Sequence, residues 1–335
     1  MKSVMLYGVR DLRVVDREPD ALGPDDVRIN VSCSGICGTE IHVYSGMEFG
    51  PPITDPRPMG HEFAGRIVEV GSNVTTLSVG DRVTAIPNAA CGRCTFCRMG
   101  KPGVCVNRSV MKYGAWAPNV IVPAANVYRL PDNVSDEIGA LTEPLGCAVR
   151  AVDFSQLRSG DRVLVIGGGP IGLFIMAIAR SSGASKVIVS EPQAYRRALA
   201  ERLGADLTID PTKDDVAEVV RAHTDGLGAD VVFEAVGFPQ TIETGIASTA
   251  AGGTVMVVGV TDAQAKASFY PQQFFFKEMT IRGVKGPTNA VDRAIRWLGA
   301  LDLSPVITHH FALEQAPEAM EFALTGQAGK IMINP

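Results

Sequence analysis

The stretch DRVLVIGGGPIGLFIMAIA, residues 161–179, constrains the fold of this chain more than any other part of the sequence. An apolar, β-branched run leads into Gly167, Gly169 and Gly172, and an apolar helical pattern follows at once. A glycine motif by itself is weak, but one placed between a strand and a helix is typical of a dinucleotide-binding turn. Such glycines permit the turn, the approach of a pyrophosphate and close packing of the helix on the strand. The sequence therefore predicts a nucleotide-binding βα unit here.

The helix after the glycine turn and the end of the next predicted strand indicate how a dinucleotide is bound and which one it is. Pro170 and Ile171 open the helix after the glycine turn, and a pyrophosphate is expected at the N-terminus of that helix. Glu191 follows the run KVIVS, where a carboxylate can hydrogen-bond the adenosine ribose and repel a 2′-phosphate. NAD is therefore the expected cofactor. Arg196 and Arg197 follow closely, and an arginine that accommodates a 2′-phosphate leaves NADP as the alternative.

A second constraint is the run CGRCTFCRMGKPGVC, residues 91–105, which holds four of the seven cysteines. A disulfide framework fits poorly, because such folds are usually short, secreted and rich in cysteine throughout. Four thiolates close together with no open position are typical of a structural, tetrahedral zinc site. We expect one zinc ion here, and redox thiols are the alternative. The ligands would be Cys91, Cys94, Cys97 and Cys105.

The remaining composition excludes several classes of protein. The 335 residues are 20% charged with a net charge of −5 and contain no Lys/Arg run, so no nucleic-acid partner is expected. The longest apolar segment is interrupted by glycine and proline, and the first residues do not resemble a signal peptide. We therefore expect a cytoplasmic protein with no membrane partner.

The distribution of strand-like and helix-like patterns along the chain predicts two domains. Residues 1–147 contain short β-branched runs separated by Gly, Pro, Asn and Asp, which favours a β-rich domain. Residues 148–290 alternate apolar strands with helical segments, as in a parallel sheet covered on both faces. Residues 291–335 read as an amphipathic helix and a short return segment, which we expect to rejoin the first domain.

Ligand-type residues also lie outside the cysteine run. Cys37 is found in GICGTEIH, His61 and Glu62 in PMGHEFAG, and Glu143 in LTEPLG. Each has an ordinary explanation when considered separately, since a single cysteine is often buried and a glutamate is usually exposed. However, glycines beside Cys37 and His61 allow sharp bends at strand ends. A catalytic zinc needs three protein ligands and an exchangeable position, so these residues are candidates for a second metal site.

Together these motifs resemble those of a known protein family. The run GHEFAGRIVEVGSNV resembles the zinc signature of the medium-chain alcohol dehydrogenase superfamily. CGTEIH, the four-cysteine run, GDRV and the glycine turn occur in the order of that family, so the resemblance covers essentially the whole chain. It implies an α/β fold, with a GroES-like β-rich catalytic domain and a Rossmann domain built on a doubly wound parallel sheet. The matching signature positions are Gly60, His61, Glu62, Gly65, Gly71 and Val74.

The resemblance also implies the catalytic metal ligands. Cys37 and His61 match two ligands, and Glu143 stands where ethanol-type members have a second cysteine. A glutamate there is similar to the sorbitol and polyol dehydrogenases, and IHVYSG resembles the threonine dehydrogenases. Glu62 then ligates the zinc or lies beside its ligands, and Glu143 is either a ligand or the group that holds the zinc-bound water. Glu40 is expected to accept a hydrogen bond from His61. The alternative interpretation is that Glu40 is an exposed carboxylate.

A proton relay is a further implication of the resemblance. Thr39 and His42 match a hydroxyl and a histidine that pass the proton of the alcohol to the surface. The alternatives are a structural threonine and histidine, with the zinc-bound water and a glutamate such as Glu62 carrying the proton instead. Met47, Glu48 and Phe49 lie between the two ligand motifs. They either line the substrate pocket or are ordinary loop residues.

The family resemblance implies reversible hydride transfer between NAD and the secondary alcohol of a polyol, sugar alcohol, cyclitol or amino-alcohol. It implies two zinc ions per chain, one catalytic and one structural, and a homo-oligomer, dimer or tetramer. One alternative is a non-catalytic zinc- and dinucleotide-binding protein, which is disfavoured because all the ligand-type residues are present. Another is an NADP-preferring alcohol or aldehyde reductase of the same superfamily.

Overall fold

The computed structural model describes residues 1–47, 55–111 and 114–335. Glu48 and Phe49, two of the residues considered for a pocket wall, lie outside the described residues. The chain divides into two compact units. The first comprises residues 1–146, 287–326 and 330–335, and the second comprises residues 147–286 and 327–329.

The described residues contain eighteen β-strands. In chain order they are β1 (Lys2–Gly8), β2 (Asp11–Asp16), β3 (Asp26–Gly35), β4 (Arg57–Pro58), β5 (Glu62–Val70), β6 (Arg82–Ala85), β7 (Asn88–Ala89), β8 (Ser109–Val110), β9 (Asn119–Pro123), β10 (Val127–Arg129), β11 (Arg162–Ile166), β12 (Lys186–Ser190), β13 (Leu207–Ile209), β14 (Ala229–Glu234), β15 (Thr249–Val257), β16 (Thr280–Gly283), β17 (Ile307–Ala312) and β18 (Lys330–Asn334).

The helices lie between these strands. They are α1 (Gly38–Ser45), α2 (Thr95–Arg98), α3 (Asp136–Ala140), α4 (Thr142–Ser155), α5 (Pro170–Ser181), α6 (Ala194–Arg202), α7 (Val216–Ala222), α8 (Pro239–Ser248), α9 (Pro271–Lys277), α10 (Val291–Leu298) and α11 (Ala316–Leu324). Single 3-10 turns occur at Pro102–Val104, Ala124–Asn126, Ser304–Val306 and Leu313–Gln315. Within the described ranges, no helix combines the length and apolar character needed to cross a bilayer.

The first unit contains a seven-stranded sheet in the order β10-β6-β5-β3-β18-β17, with β9 also paired to β3. Val27, Ile29 and Val31 alternate along β3 and are buried, as expected when one face of a strand packs on a core. They pack with Phe63 and Ile67 of β5 in the main apolar cluster of this unit. Smaller sheets, β2-β1-β4 and β7-β8, complete the β-rich architecture.

The C-terminal end of β3 is flanked by two strands that come from distant parts of the sequence. Gly35 of β3 is the antiparallel partner of Glu62 on β5, and it is also the partner of Met332 on β18. Strand β18 therefore returns to the first unit after the whole second unit has been formed. This pairing brings residues of β5 and β18 close together over Gly35.

The second unit is a six-stranded sheet in the order β13-β12-β11-β14-β15-β16, and every adjacent pair is parallel. Its central strands are buried almost throughout, because helices cover both faces of such a sheet. The order reverses between β11 and β14, and ligands of open α/β sheets bind at such a switch point. This topology confirms the predicted doubly wound Rossmann sheet.

Candidate functional site

The four cysteines of residues 91–105 converge on one point. Their sulfur atoms all lie within 4.8 Å of one another. The Sγ of Cys94 is 3.5 Å from that of Cys97 and 3.8 Å from that of Cys105. A tetrahedron with Zn–S bonds of about 2.3 Å has edges of about 3.8 Å, so these spacings fit a zinc ion at the centre. Positive φ angles at Gly92 and Gly100 let the loop close around that point.

The electrostatics of this cluster favour a cation. The backbone N–H groups of Cys97 and Val106 lower the pKa of Cys94 to about 6, so its thiol ionises readily. Desolvation and the sulfurs of Cys94 and Cys105 raise the pKa of Cys97 to about 12. Further thiolates are therefore unfavourable beside the first unless a metal ion is present to offset their charge.

A second cluster forms where β3 and β5 meet. The ligand atoms of Cys37, Glu40 and His61 lie within 4.8 Å of one another, and so do those of His61, Glu62 and Glu143. Cys37 caps the N-terminus of α1 just after β3, and His61 immediately precedes β5. The structure therefore gathers all the candidate ligands of the second metal site around His61.

Glu40 orients both Cys37 and His61. Its Oε1 lies 2.5 Å from Nδ1 of His61, and its Oε2 accepts the backbone N–H of Cys37 at 2.9 Å. Glu40 is 4% exposed, in contrast to the exposed carboxylate that was its alternative. With Nδ1 donating to Glu40, the other ring nitrogen of His61 is left to bind a metal.

The pKa of each candidate ligand named below is raised in the metal-free protein. Burial, followed by the charge of Glu62, raises the pKa of Cys37. Burial lowers the pKa of His61, but the charges of Glu40 and Cys37 outweigh it and raise that pKa well above its usual value. Burial raises the pKa of Glu143 to about 7. Metal binding to such a group replaces protons, as is usual for thiol, imidazole and carboxyl ligands.

Lys330 is the residue of this cluster that the sequence interpretation missed. Its Nζ lies 2.5 Å from Oε2 of Glu62 and donates to the carbonyl of Ile36 at 2.9 Å. Lys330 is 2% exposed and Glu62 is 1% exposed, so this ion pair is excluded from water. The only local signal was a lysine beginning an otherwise apolar strand, KIMIN.

A glycine and a tryptophan support the metal cluster. Gly60, with φ of +90°, precedes His61, and a Cβ there would lie 2.3 Å from Cδ1 of Trp116. Trp116 is completely buried, and its indole N–H donates to the carbonyl of Gly35 at 3.2 Å. The backbone around His61 is therefore fixed by close packing that only glycine permits.

Thr39 and His42 lie on α1 beside this cluster. They are three positions apart (i, i+3), so both side chains project from one face of the helix. The Oγ1 of Thr39 is 3.7 Å from Sγ of Cys37. Burial lowers the pKa of His42, so its imidazole is neutral and able to accept a proton at neutral pH.

The glycine turn of the second unit has the geometry that a dinucleotide requires. Gly167 has φ of +102°, and a Cβ on Gly172 would lie 1.8 Å from the carbonyl oxygen of Gly167. Gly169 caps α5, and Pro170 and Ile171 occupy its first turn. The first N–H groups of a helix have no partner within the helix, so a proline there loses no hydrogen bond. The remaining N–H groups at this helix end suit a pyrophosphate.

Glu191 and the two arginines lie next to that turn. The carboxylate of Glu191 accepts the N–H of Gly168 and the N–H of Gln193, each at 2.8 Å. Arg197 donates to the carbonyls of Glu191 and Pro192 and pairs with Asp210. Arg196 donates from Nε to the carbonyl of Ala328.

A cavity of about 420 Å³ opens in the second unit at the carboxyl ends of β11 and β12. Its size is within the range of small-ligand sites. One wall is the turn after β14, which is held by the buried Glu234. Its Oε1 accepts the N–H groups of Val236 and Gly237 at 2.9 and 2.7 Å. Lining residues include Ile166, Ser190, Pro192, Val236, Phe238 and Thr241.

Comparison with known proteins matches two domain families to this chain. The family model for zinc-binding dehydrogenases matches residues 170–300, and that for the alcohol dehydrogenase GroES-like domain matches residues 23–132. The chain is 38% identical to L-threonine 3-dehydrogenase of Caldanaerobacter subterraneus subsp. tengcongensis, over 99% of this chain and 98% of that protein.

Solved structures share the whole fold. A zinc-binding dehydrogenase of Sinorhizobium meliloti 1021 bound to NADP is 34% identical, with a TM-score of 0.94 over 100% of this chain and 99% of that one. The 2R,3R-butanediol dehydrogenase of Bacillus subtilis is 30% identical, with a TM-score of 0.88 over 100% and 99% of the two chains.

These matches confirm the predicted fold class, a GroES-like domain with a Rossmann domain. They also confirm the predicted enzyme class, a zinc-dependent oxidoreductase that acts on a secondary alcohol. The chain belongs to the zinc-dependent medium-chain alcohol dehydrogenase superfamily, in the branch of the threonine and polyol dehydrogenases.

Proposed function

We propose that this enzyme oxidises the secondary alcohol of an amino-alcohol of the threonine type, with NAD as hydride acceptor and two zinc ions per chain. The observation that carries the proposal is the buried cluster of a thiol, an imidazole and two carboxyl groups around His61. The similarity to an L-threonine 3-dehydrogenase along 99% of the chain favours an amino-alcohol. A vicinal diol is the second candidate, favoured by the fold match to a butanediol dehydrogenase.

The residues of the cluster fit a catalytic zinc ion. Thiolate, imidazole and carboxylate are the ligand types that zinc prefers in enzymes. Moreover, Oε1 of Glu62 is buried and has no hydrogen-bond partner among the described residues, as expected of an oxygen that faces a metal. Cys37, His61 and one of the two glutamates would hold the ion. When bound, zinc supplies Lewis-acid polarisation of the alcohol oxygen.

The residues around the zinc ligands have distinct roles in the proposed mechanism. Glu40 fixes the tautomer and orientation of His61 through the bond at Nδ1. Thr39, beside Cys37, accepts the proton of the alcohol and passes it towards His42, whose neutral ring takes it up. Glu62 is held by Lys330, so we assign the proton transfer to Thr39 and His42 rather than to Glu62.

The cysteine cluster of residues 91–105 would hold the second zinc ion. Its four sulfurs have tetrahedral spacing, and no other protein group is needed to complete the coordination. This ion would stabilise the loop rather than take part in the reaction.

Two side chains, Glu191 and Arg197, support NAD over NADP. Glu191 places a buried negative charge beside the glycine turn, where it would repel a 2′-phosphate. Arg197 already binds two carbonyls and Asp210, and Arg196 binds the carbonyl of Ala328. Arg197 is therefore not free to bind a phosphate without losing these contacts. Arg196 uses only its Nε, and its Nη1 would lie 3.9 Å from a Cβ on Gly169, so NADP stays the alternative cofactor.

Replacing Glu191 by alanine is expected to raise the ratio of kcat/KM for NADP to kcat/KM for NAD. We expect a change of at least about tenfold, which corresponds to about 1.4 kcal/mol, because the repelling carboxylate is removed. Steady-state rates with each cofactor measure the ratio, and the exposed Glu218→Gln is the control in the same unit. A ratio equal to that of the wild type would contradict the role of Glu191.

The substrate class is tested by NADH formation with L-threonine, 2,3-butanediol, sugar alcohols, cyclitols and primary alcohols. Highest kcat/KM with L-threonine or a related amino-alcohol is the expected result. Highest kcat/KM with butanediol or a sugar alcohol would favour the second candidate. Turnover of primary alcohols alone would contradict both.

We further propose that the protein is a cytoplasmic homo-oligomer that associates through β16. This strand forms one edge of the six-stranded sheet, and all four of its residues are exposed. The neighbouring Tyr270, Phe275 and Phe276 are 75%, 76% and 72% exposed, which is unusual for large apolar side chains. An unpaired edge with apolar neighbours is suited to pairing with a second copy. All seven cysteines are unbridged, which fits a reducing compartment.

The double variant Phe275→Asp/Phe276→Asp is expected to dissociate this assembly, because two charges would be buried in the contact. Analytical ultracentrifugation should then show the mass of a single 35.5 kDa chain, whereas the wild type should show a multiple of it. An exposed control is Tyr195→Asp on α6. A monomeric wild type, or an unchanged mass in the double variant, would contradict β16 as the interface.

A further inference from the structure

Lys330 makes two contacts at the candidate catalytic metal site. Its ammonium binds Oε2 of Glu62 at 2.5 Å and the carbonyl oxygen of Ile36 at 2.9 Å. Ile36 directly precedes Cys37, so a single side chain links the segments that carry two candidate ligands. Both charged groups of the pair are almost completely buried, and a buried charge is retained only when a partner compensates it.

The two oxygens of the Glu62 carboxylate are in different environments. Oε2 is bound to Lys330, whereas Oε1 is buried without a hydrogen-bond partner among the residues described. The ligand atom of Glu62 lies within 4.8 Å of those of His61 and Glu143. The carboxylate therefore spans the space between the ammonium and the candidate metal position, with one oxygen available to each.

The backbone is shaped to keep this arrangement. A Cβ on Gly35 would lie 2.4 Å from Oε2 of Glu62 and 3.2 Å from Cδ of Lys330, so only glycine leaves room for the ion pair at this point. Strand β3 pairs with β5 on one side and β18 on the other, which fixes both backbones relative to Gly35. The ion pair is thus built into the sheet rather than formed by flexible side chains.

Charge gives a second reason for a cation here. Cys37, Glu40, Glu62 and Glu143 together offer four negative charges when ionised, two more than a zinc ion carries. Lys330 offsets part of this excess. Without Lys330, the full charge of the Glu62 carboxylate would be compensated only by the metal, and both of its oxygens would be drawn towards it.

We propose that Lys330 is a positioning residue that restricts Glu62 to a single metal-facing oxygen and so keeps a coordination position open for the substrate alcohol. This inference rests on the proposed catalytic zinc site. It assigns to a lysine of β18 the control of coordination number at a metal held by residues of β5, of α4 and of the turns that follow β3 and precede β5.

Cobalt substitution tests this inference without relying on turnover. Cobalt(II) is exchanged into the protein in place of zinc, and its visible absorption becomes weaker as the coordination number rises above four. In Lys330→Met, Glu62 is expected to bind through both oxygens, so the visible bands of the catalytic cobalt should weaken. Release of that metal to a chelator should slow by at least about tenfold, since a chelating ligand is lost less easily.

Matched variants make the result specific. Lys330→Arg keeps the charge and is expected to retain the wild-type spectrum and release rate. Lys2→Met, which changes an exposed lysine paired with Glu314, should have neither effect. In Glu62→Gln, the further change Lys330→Met should leave the spectrum unaltered, because no carboxylate is freed.

Each outcome decides the question. An unchanged cobalt spectrum and release rate in Lys330→Met would overturn the inference, and so would faster release. If Lys330→Met does not fold, Lys330→Arg decides, and a spectrum different from the wild type overturns the inference. Binding of only one metal ion by the wild type, in the cysteine cluster, would instead overturn the proposed catalytic site itself.

Discussion

Replacing Cys37 by serine is expected to halve the zinc content, from two ions per chain to one, and to lower kcat/KM for alcohol oxidation by about 10³-fold. A serine hydroxyl is a poor zinc ligand, and the Lewis acid contributes several kcal/mol to such reactions. A loss of about 4 kcal/mol corresponds to that factor. Elemental analysis of dialysed protein and the rate of NADH formation measure the two effects.

Cys33→Ser is the matched control for this experiment. Cys33 lies on β3, four residues before Cys37, and is 2% exposed, but it belongs to neither ligand cluster. This variant should keep two zinc ions and most of the activity, with only a modest loss of stability. If Cys37→Ser kept both ions, or if the wild type held one ion that Cys37→Ser did not affect, the catalytic site would be misassigned.

Replacing Cys94 by serine is expected to have the largest effect on stability. Cys94 is one of the two buried cysteines of its cluster, and its sulfur lies 3.5 and 3.8 Å from those of Cys97 and Cys105. Structural zinc ions contribute folding free energy directly, and their loss leaves several thiols without compensation. We expect a loss of about 3 kcal/mol in unfolding free energy and a fall in Tm of about 10 °C for the first unit.

Differential scanning calorimetry with parallel zinc analysis measures this effect. Zinc content should fall to one ion per chain, and the remaining ion should be the one that Cys37→Ser removes. Thr95→Ser, an exposed change in α2 beside Cys94, is the control and should leave both Tm and zinc content unchanged. Normal Tm with one zinc ion would show that the loop does not depend on its metal.

Features encoded in short stretches could be predicted from the sequence. The glycine turn between β11 and α5 depends on residues that are adjacent in the chain, so the strand, the turn and the helix are all visible in the pattern. The four cysteines likewise lie in one loop. Their convergence on one point is a local property of the loop, and the residue types together with their spacing are sufficient to predict it.

Lys330 could not be predicted in this way. Its partner Glu62 is 268 residues away, and the two meet only because β18 and β5 lie on either side of β3. A sequence pattern contains no information on which distant strands become neighbours. The contacts of Arg196 and Arg197 were hidden for a related reason, since the sequence shows two arginines near Glu191 but not what their guanidinium groups bind.

The return of β18 to β3 also has a consequence for biosynthesis. A ribosome delivers β3, β5 and the cysteine loop first, then the whole second unit, and only afterwards the strand that carries Lys330. Domains tend to fold as they emerge, from the N-terminal end onwards. The cysteine loop can therefore capture its zinc while the chain is still being translated, whereas Glu62 stays without its ammonium partner until β18 has been added. Under the proposed two-zinc assignment, we therefore expect metal loading in two stages: the cysteine cluster binds its ion during translation, and the catalytic centre acquires its final geometry last.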